Sequence, residues 1–206
     1  HSLSPDKLKA YSGTIYKIAT SLNELLENLL EWSVMQRNHV HFSPEAMNLG
    51  KMLEKCLGTI EQQARNKEIN VLQNISPDTI IFADFRMITS IFRNLLTNAV
   101  KFTHPKGEII ILTGEKTRHF VEVMVQDNGI GMDQDTLDRL FRIDRVMSSP
   151  GTEGESSTGL GLIICREYLL KHGGNIWIES APDKGTCVRL TLPLNPAATE
   201  TPERAV

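Results

Sequence analysis

The sequence predicts an α+β fold, a mixed and mainly antiparallel sheet with helices on one face, preceded by a long heptad-patterned helix. Three observations predict it. Segments with apolar residues three and four apart are interspersed with short β-branched runs, so helices and strands alternate along one chain. The later strands come in pairs joined by short turn-forming connections, which favours antiparallel pairing. The N-terminal stretch, by contrast, carries a single unbroken helical seam.

Size and composition set the bounds. At 206 residues the chain has room for one large domain, or for one domain with an appendage. Hydrophobic content of 40% with 23% charged residues is enough to bury a core. A net charge of −3 gives no general attraction to nucleic acid or to an anionic membrane, so neither is an expected partner. Cys56, Cys165 and Cys187 are scattered and form no Cys-x-x-Cys pair, which suits buried thiols in a reducing compartment better than a disulfide framework or zinc site. No signal peptide or long apolar span is legible, and a cytoplasmic location is expected, with a parent protein free to be membrane-anchored. The chain opens at His1 without an initiator Met and reads as a fragment.

In chain order, Ser4-Pro5 starts the long helix, Pro5 being tolerated at a first helical position. Leu8, Tyr11, Ile15, Ile18, Leu22, Leu25, Leu29 and Trp32 then follow at spacings of 3, 4, 3, 4, 3, 4 and 3. This a/d seam, widened by Leu26 and Leu30, predicts self-association in a bundle rather than packing on the chain's own domain. Arg37-Asn38-His39 ends the helix and divides residues 1–38 from a body at 39–195. Val40-His41-Phe42 reads as a short strand. Asn48 caps a helix to about Arg65 whose inner face carries Leu49, Met52, Leu53, Cys56, Leu57 and Ile60.

Strands are expected at Ile69–Leu72 and Thr79–Phe82, around the turn Ser76-Pro77-Asp78. Asp84 caps the next helix, which carries Met87, Ile88, Ile91, Leu95, Leu96 and Ala99 inward. Glu108–Thr113 and Phe120–Gln126 read as an antiparallel hairpin, and Asp133 caps a short helix toward Phe141. The segment Gly161–Lys171 reads as a helix ended by His172-Gly173-Gly174. Asn175–Ser180 and Thr186–Pro193 close the sheet. Residues 196–206, rich in Pro, Ala, Thr and Glu, read as a disordered tail.

The chemistry gathers between Val125 and Leu162. A β-rich run ends in Asp127, turns through Gly129 and Gly131, crosses a long polar loop, and regains order at Gly159-Leu160-Gly161-Leu162. Long loops in compact domains are rarely idle. Where glycines open a helix, the unpaired N–H groups and the dipole favour a phosphate, so these turns suggest a nucleotide pocket with a lid. Upstream, Asn94 and Asn98 are four apart and Lys101 follows at three, on one helix face. Amide oxygens suit a hard cation such as magnesium, and amide and ammonium donors suit phosphate. Two asparagines at this spacing are by themselves more often a solvated face. The glycine loops reverse those odds.

These segments resemble a known family. NLLTNAVKF resembles the N box, DNGIGM the G1 box, and STGLGL the G2 box of the ATP-binding domain of sensor histidine kinases, in the family's order and approximate spacing. The likeness covers about Asn48 to Leu194, includes HGGNIWIES and KGTCVRLTLPL, and extends weakly into the N-terminal helix. That helix is similar to the second helix of the family's dimerisation hairpin. The resemblance implies a Bergerat-type nucleotide fold binding ATP and magnesium. It implies that Asp127 accepts a hydrogen bond from the adenine amino group, a role compatible with that of a plain turn-forming Asp. It places Gly129 and Gly131 beside adenine and ribose, Asn94 on magnesium, and Asn98 and Lys101 near the phosphates. Phe102 is implied as a wall for adenine, with plain core as the competing role. Gly159 and Gly161 would present N–H groups to the phosphates, with Thr158 and Leu160 beside them.

The sequence also departs from the family. Ser157 stands where a glycine usually precedes the Thr of the G2 box. The aromatic lid motif is shortened to Leu140-Phe141-Arg142, leaving open whether Arg142 or Arg145 grips the γ-phosphate, and either is equally a solvated loop arginine. No histidine sits in a phosphoacceptor motif: His1 and His39 lie in the wrong contexts, and His41, His104 and His119 read as loop or strand-edge residues. His172 reads as a helix end where an imidazole suits the dipole. The expected function is transfer of the ATP γ-phosphoryl to a histidine outside this fragment and onward to an aspartate of a response regulator, in a homodimer held by the N-terminal helix. The chain alone is not expected to phosphorylate itself. The alternatives are an ATPase of the gyrase, mismatch-repair and chaperone type, or a degenerate nucleotide-binding or dimerisation module without transfer.

Overall fold

The structure is a computed structural model that describes residues 11–15, 18, 19, 22, 23, 25, 26, 29, 30, 33, 41–142, 151–153, 155 and 159–197. The described residues before 34 are helical, and Tyr11, Ile15, Ile18, Leu22, Leu25 and Leu29 of the seam are each at least 41% exposed. Leu8, Trp32 and Val40 lie outside the described residues, as do Arg145, Ser157, Thr158 and residues 198–206.

The body is built from β1 (Glu45–Asn48), α1 (Leu49–Asn66), β2 (Asn70–Asn74), β3 (Ile80–Ala83), α2 (Phe85–Phe102) and β4 (Glu108–Lys116). It continues through β5 (Phe120–Asp127), a single turn α3 (Gln134–Leu137), α4 (Gly161–Lys171), β6 (Ile176–Ser180) and β7 (Thr186–Pro193). Each of the first three helices starts at the cap its sequence offers. Asn48 accepts from the Lys51 N–H, Asp84 from those of Arg86 and Met87, and Asp133 from that of Thr136. α2 buries Met87, Ile88, Ile91, Phe92, Leu95, Leu96, Ala99 and Val100 and packs against both α1 and α4. Each fully buried Ile, Leu or Phe of this kind contributes about 1.5–3 kcal/mol.

Five strands form the main sheet in the order β2-β4-β5-β7-β6, with β2 parallel to β4 and the other neighbours antiparallel. The two-residue side-chain period sends Ile109, Ile111, Val123, Val125, Val188 and Leu190 toward the helices, and Leu112, Met124, Arg189 and Trp177 to the other face. Asp127 shares the inward parity at the end of β5, so its carboxylate is delivered to the helix side of the sheet, between Ile109 and Thr186.

One expectation needs correction. The strand expected at Val40-His41-Phe42 is not formed at His41 or Phe42; β1 lies further on and pairs antiparallel with β3 in a separate two-stranded sheet. The cause is tertiary: the Phe42 ring packs edge-on against His172 at 4.9 Å, and the Ser43 N–H donates to the Asp84 carboxylate at 2.9 Å. His172 ends α4, as expected. It is fully buried; its Nδ1–H donates to the Tyr168 carbonyl, and Nε2 accepts from the Asp84 N–H at 2.9 Å. Burial holds the imidazole below its ordinary pKa, against the pull of the Tyr168 carbonyl and Asp84. Past β7, the Asn195 amide donates to the Arg118 carbonyl at 3.2 Å.

Candidate functional site

The site is organised along the half-buried face of α2 that carries Asn94, Asn98 and Phe102, one turn apart from each other. At the Asn94 end, the side-chain amide donates to the Ser90 carbonyl of its own helix at 3.0 Å, which turns Oδ1 outward. That oxygen faces Gly161, where a Cβ would stand 2.7 Å from it. A Cβ at Gly161 would thus crowd the Asn94 amide, and Gly161 opens α4. The Leu160 side chain makes no capping hydrogen bond there, and the start of α4 lies beside an amide oxygen. Gly159, with φ +68°, provides the left-handed turn into this helix start. An anion at such an N-terminus, with a hard cation on the neighbouring oxygen, is a combination this geometry accommodates.

At the other end of α2, eight residues or about 12 Å along the axis, the glycine turn after β5 is stitched to the helix. The Ile130 N–H donates to the Phe102 carbonyl at 3.1 Å, and a Cβ on Gly129 would collide with that same carbonyl. Gly131, at φ +62°, is pressed in the same way against the Ala181 carbonyl. The glycines here are demanded by the protein's own backbone packing. Phe102 is half-buried and does not belong to the core cluster, and the Lys101 ammonium sits 5.2 Å from its ring centre. Lys101 itself is 7% exposed.

Asp127 is 8% exposed and accepts from the Gly129 N–H at 2.9 Å and the Thr186 N–H at 3.3 Å, both on Oδ1. Burial raises its pKa above the ordinary carboxylate range, and those two N–H groups pull it back. Asn94, Gly161, Phe102, Gly129 and Asp127 are therefore arranged along one helix, with Asn98 midway and Lys101 beside Phe102. Arg142 is exposed. A separate cleft of about 470 Å³ between α3 and β6, lined by Leu137, Asp138, Phe141, Ile178 and Glu179 among others, includes none of these residues.

Sequence reasoning missed several residues. Thr186 stands directly across from Asp127 in the β5–β7 register and donates to it. Ser180 accepts from the Met132 N–H at 2.9 Å and donates to the Gly185 carbonyl at 2.8 Å, tying the glycine turn to the β6–β7 connection. Lys67 reaches the far end of α2. None of these has a local sequence signal, because each acts on a neighbour distant in the chain.

Comparison with known proteins agrees with this geometry. The family "Histidine kinase-, DNA gyrase B-, and HSP90-like ATPase" matches residues 83–196, more than half of the chain. An adaptive-response sensory kinase, SasA, of Prochlorococcus marinus strain MIT 9313 is 36% identical over 154 residues, which are 74% of this chain and 41% of that protein. The chain thus spans well under two thirds of this relative. The solved catalytic domain of the histidine kinase ThkA superposes with a TM-score of 0.65 at 26% identity, covering 76% of this chain and 99% of that one. ThkA in complex with the response regulator protein TrrA gives 0.72 at 25% identity, covering 100% of this chain and 55% of that one. By the family match and the α+β fold around α2, the chain belongs to the histidine kinase-, DNA gyrase B- and HSP90-like ATPases, and its relatives there are sensory histidine kinases.

Proposed function

We propose that the chain is the ATP-binding catalytic part of a sensor histidine kinase, with residues 39–195 as the catalytic domain, residues 1–38 as the second helix of a dimerisation hairpin and 196–206 as a tail. The observation that carries this reading is the approach of Asn94 Oδ1 to Gly161 at the start of α4. It joins a cation ligand to an anion site, while the far end of the same helix holds a buried carboxylate.

In this reading the Asp127 carboxylate accepts from the adenine amino group, and Phe102 forms one wall for the base. Asn94 would hold magnesium, whose chemistry is to neutralise charge on the phosphate oxygens. Asn98, Lys101, Thr158, Leu160 and the N–H groups at Gly159 and Gly161 receive the phosphates, and Arg142 or Arg145 meets the γ-phosphoryl. Asn94 cannot take a proton from water, which favours transfer to a protein nucleophile over hydrolysis. The acceptor histidine is outside this chain, and a response-regulator aspartate follows it. The exposed seam Tyr11, Ile15, Ile18, Leu22, Leu25 and Leu29 supports homodimerisation through the N-terminal helix. Among the described residues no helix is long and apolar enough to cross a membrane, and a cytoplasmic location for this part is proposed.

The test pairs binding with transfer. Melting of the native chain with excess Mg·ADP should rise, by the equivalent of about 2.7 kcal/mol at a hundred times Kd, and the rise should vanish in Asp127→Asn. Incubation with γ-labelled ATP should label a supplied acceptor hairpin and leave this chain unlabelled on histidine. No melting shift at millimolar nucleotide, or steady hydrolysis without transfer, would sink the kinase reading.

A further inference from the structure

Lys67, the residue that ends α1, is 4% exposed. Its ammonium donates to the Val100 and Lys101 carbonyls at 3.0 Å each and to the Thr152 hydroxyl at 2.7 Å, and pairs with the Glu155 carboxylate at 2.6 Å. A buried ammonium is stable only when its donors are filled and its charge is met, and here both conditions hold. Two of the partners are last-turn carbonyls of α2, where a cation also suits the helix dipole. The other two come from the chain just ahead of the α4 glycines.

That chain is fastened around Lys101. The Thr152 N–H donates to the Lys101 carbonyl at 3.1 Å, and its hydroxyl reaches the Lys101 and Thr103 carbonyls. Gly151 donates its N–H to the Glu155 carbonyl at 2.8 Å, and a Cβ on it would press against the Lys101 stem, 2.5 Å from Cγ, and against the Glu155 carboxylate. Glu155 Oε2 accepts from the Glu153 N–H at 2.8 Å, while Oε1 meets Lys67. The adenine-side turn hangs from a different group, the Phe102 carbonyl. The end of α2 therefore shares out its carbonyls, that of Phe102 to the Asp127 turn, those of Val100 and Lys101 to the Lys67 hub, and that of Ala99 to Thr103.

We infer that Lys67, with Glu155, is a positioning pair for the phosphate half of the nucleotide site: it sets the Lys101 side chain and the segment at Thr152 without touching nucleotide itself. This rests on the proposed reading of Lys101 as a phosphate contact. The Glu155 carboxyl supports it: desolvation pushes its pKa up, but the Lys67 ammonium and the N–H donors outweigh that and hold it below its ordinary value.

The test is a split between ligands that differ only in phosphate. Glu155→Gln lies on a half-exposed residue and should fold, and Lys67→Met with the conservative Lys67→Arg complete the set. In Glu155→Gln and Lys67→Met the Thr152 amide should exchange faster. Mg·ADP should bind about tenfold more weakly, the loss of one charge-assisted bond, with adenosine affinity unchanged within about twofold. Lys67→Arg should recover most of the Mg·ADP affinity. The inference is overturned if Mg·ADP and adenosine weaken equally, if the Thr152 amide exchanges faster while Mg·ADP binds as in the native chain, or if exchange is unaltered. A native chain that gives no melting shift with Mg·ADP defeats the proposed function itself, and this inference with it; a native chain that binds normally isolates the failure to the pair.

Discussion

The two ends of α2 are both closed by buried polar groups, but by opposite electrostatics. At the N-terminal end, Asp84 caps the helix and accepts from Ser43, and its own N–H is taken by a neutral, fully buried His172. The Asp84 N–H and carboxylate and both ring nitrogens of His172 are answered within the chain, and the network joins the segment at Phe42 and Ser43 to the start of α2 and the end of α4. At the C-terminal end the Lys67 ammonium takes the Val100 and Lys101 carbonyls and meets the half-buried Thr152 and Glu155 of a single loop. The first end behaves as scaffold. The second holds an ion pair at the edge of the interior, beside the residues proposed to meet nucleotide.

The largest effect that would sharpen this contrast is on stability at the scaffold end. Replacing His172 by Ala leaves the Asp84 N–H and the Tyr168 carbonyl without their partner and opens a cavity beside Phe42. The expected loss is about 3–4 kcal/mol in urea denaturation, with the Mg·ADP affinity of the folded fraction unchanged. A loss below about 1 kcal/mol would mean the network is slack and the scaffold end is no different from the other.

This scaffold is also where sequence reading was least able to see. The caps at Asn48, Asp84 and Asp133, the inward faces of α1 and α2, and the boxes around Asn94, Asp127 and Gly161 are local patterns, and they were legible. His172 was not, because whether an imidazole at a helix end is a surface cation or a buried neutral acceptor depends on Asp84 and Phe42, far away in the chain. Lys67 was missed for the same reason, since a lysine ending a helix is ordinary and its partner Glu155 lies across a long loop. Gly129 and Gly131 were found correctly as glycines that a close approach requires, but what approaches them in this structure is the backbone at Phe102 and Ala181.

A second contrast is expected in pH dependence. His172 is held below its ordinary pKa, so the neutral imidazole is the form the fold prefers. Its contribution is complete above the unfolded value of about 6.5 and is lost as pH falls from there through the folded value. The charged groups facing it are Asp84, which favours protonation, and Lys171, which opposes it. Glu155 is also held below its ordinary value, so its contribution persists above the unfolded value of about 4.3 and fades only below that. Stability measured against pH should therefore show two separate declines. His172→Gln should flatten the upper one and Glu155→Gln the lower. A single decline that neither variant alters would remove the distinction between a neutral end and a charged one.

The smallest effect concerns how the two neighbouring helices stop. α4 ends with the Gly174 N–H on the Leu169 carbonyl and the Gly173 N–H on the Leu170 carbonyl, and Gly173 takes the left-handed conformation at φ +73°. α1 ends with the same pair of bonds, Ile69 to Ala64 and Glu68 to Arg65, but its left-handed residue is Glu68 at φ 55°. A side chain in that conformation carries strain that glycine does not, partly offset by glycine's greater freedom when unfolded. Glu68→Gly should therefore stabilise the domain by about 0.5–1 kcal/mol, while Gly173→Ala would do the reverse. Because Glu68 adjoins Lys67, the same variant probes the hub: its Mg·ADP affinity should be that of the native chain. A weaker affinity with higher stability would mean that relaxing this turn moves Lys67, and that the strained cap is part of how the phosphate half of the site is held.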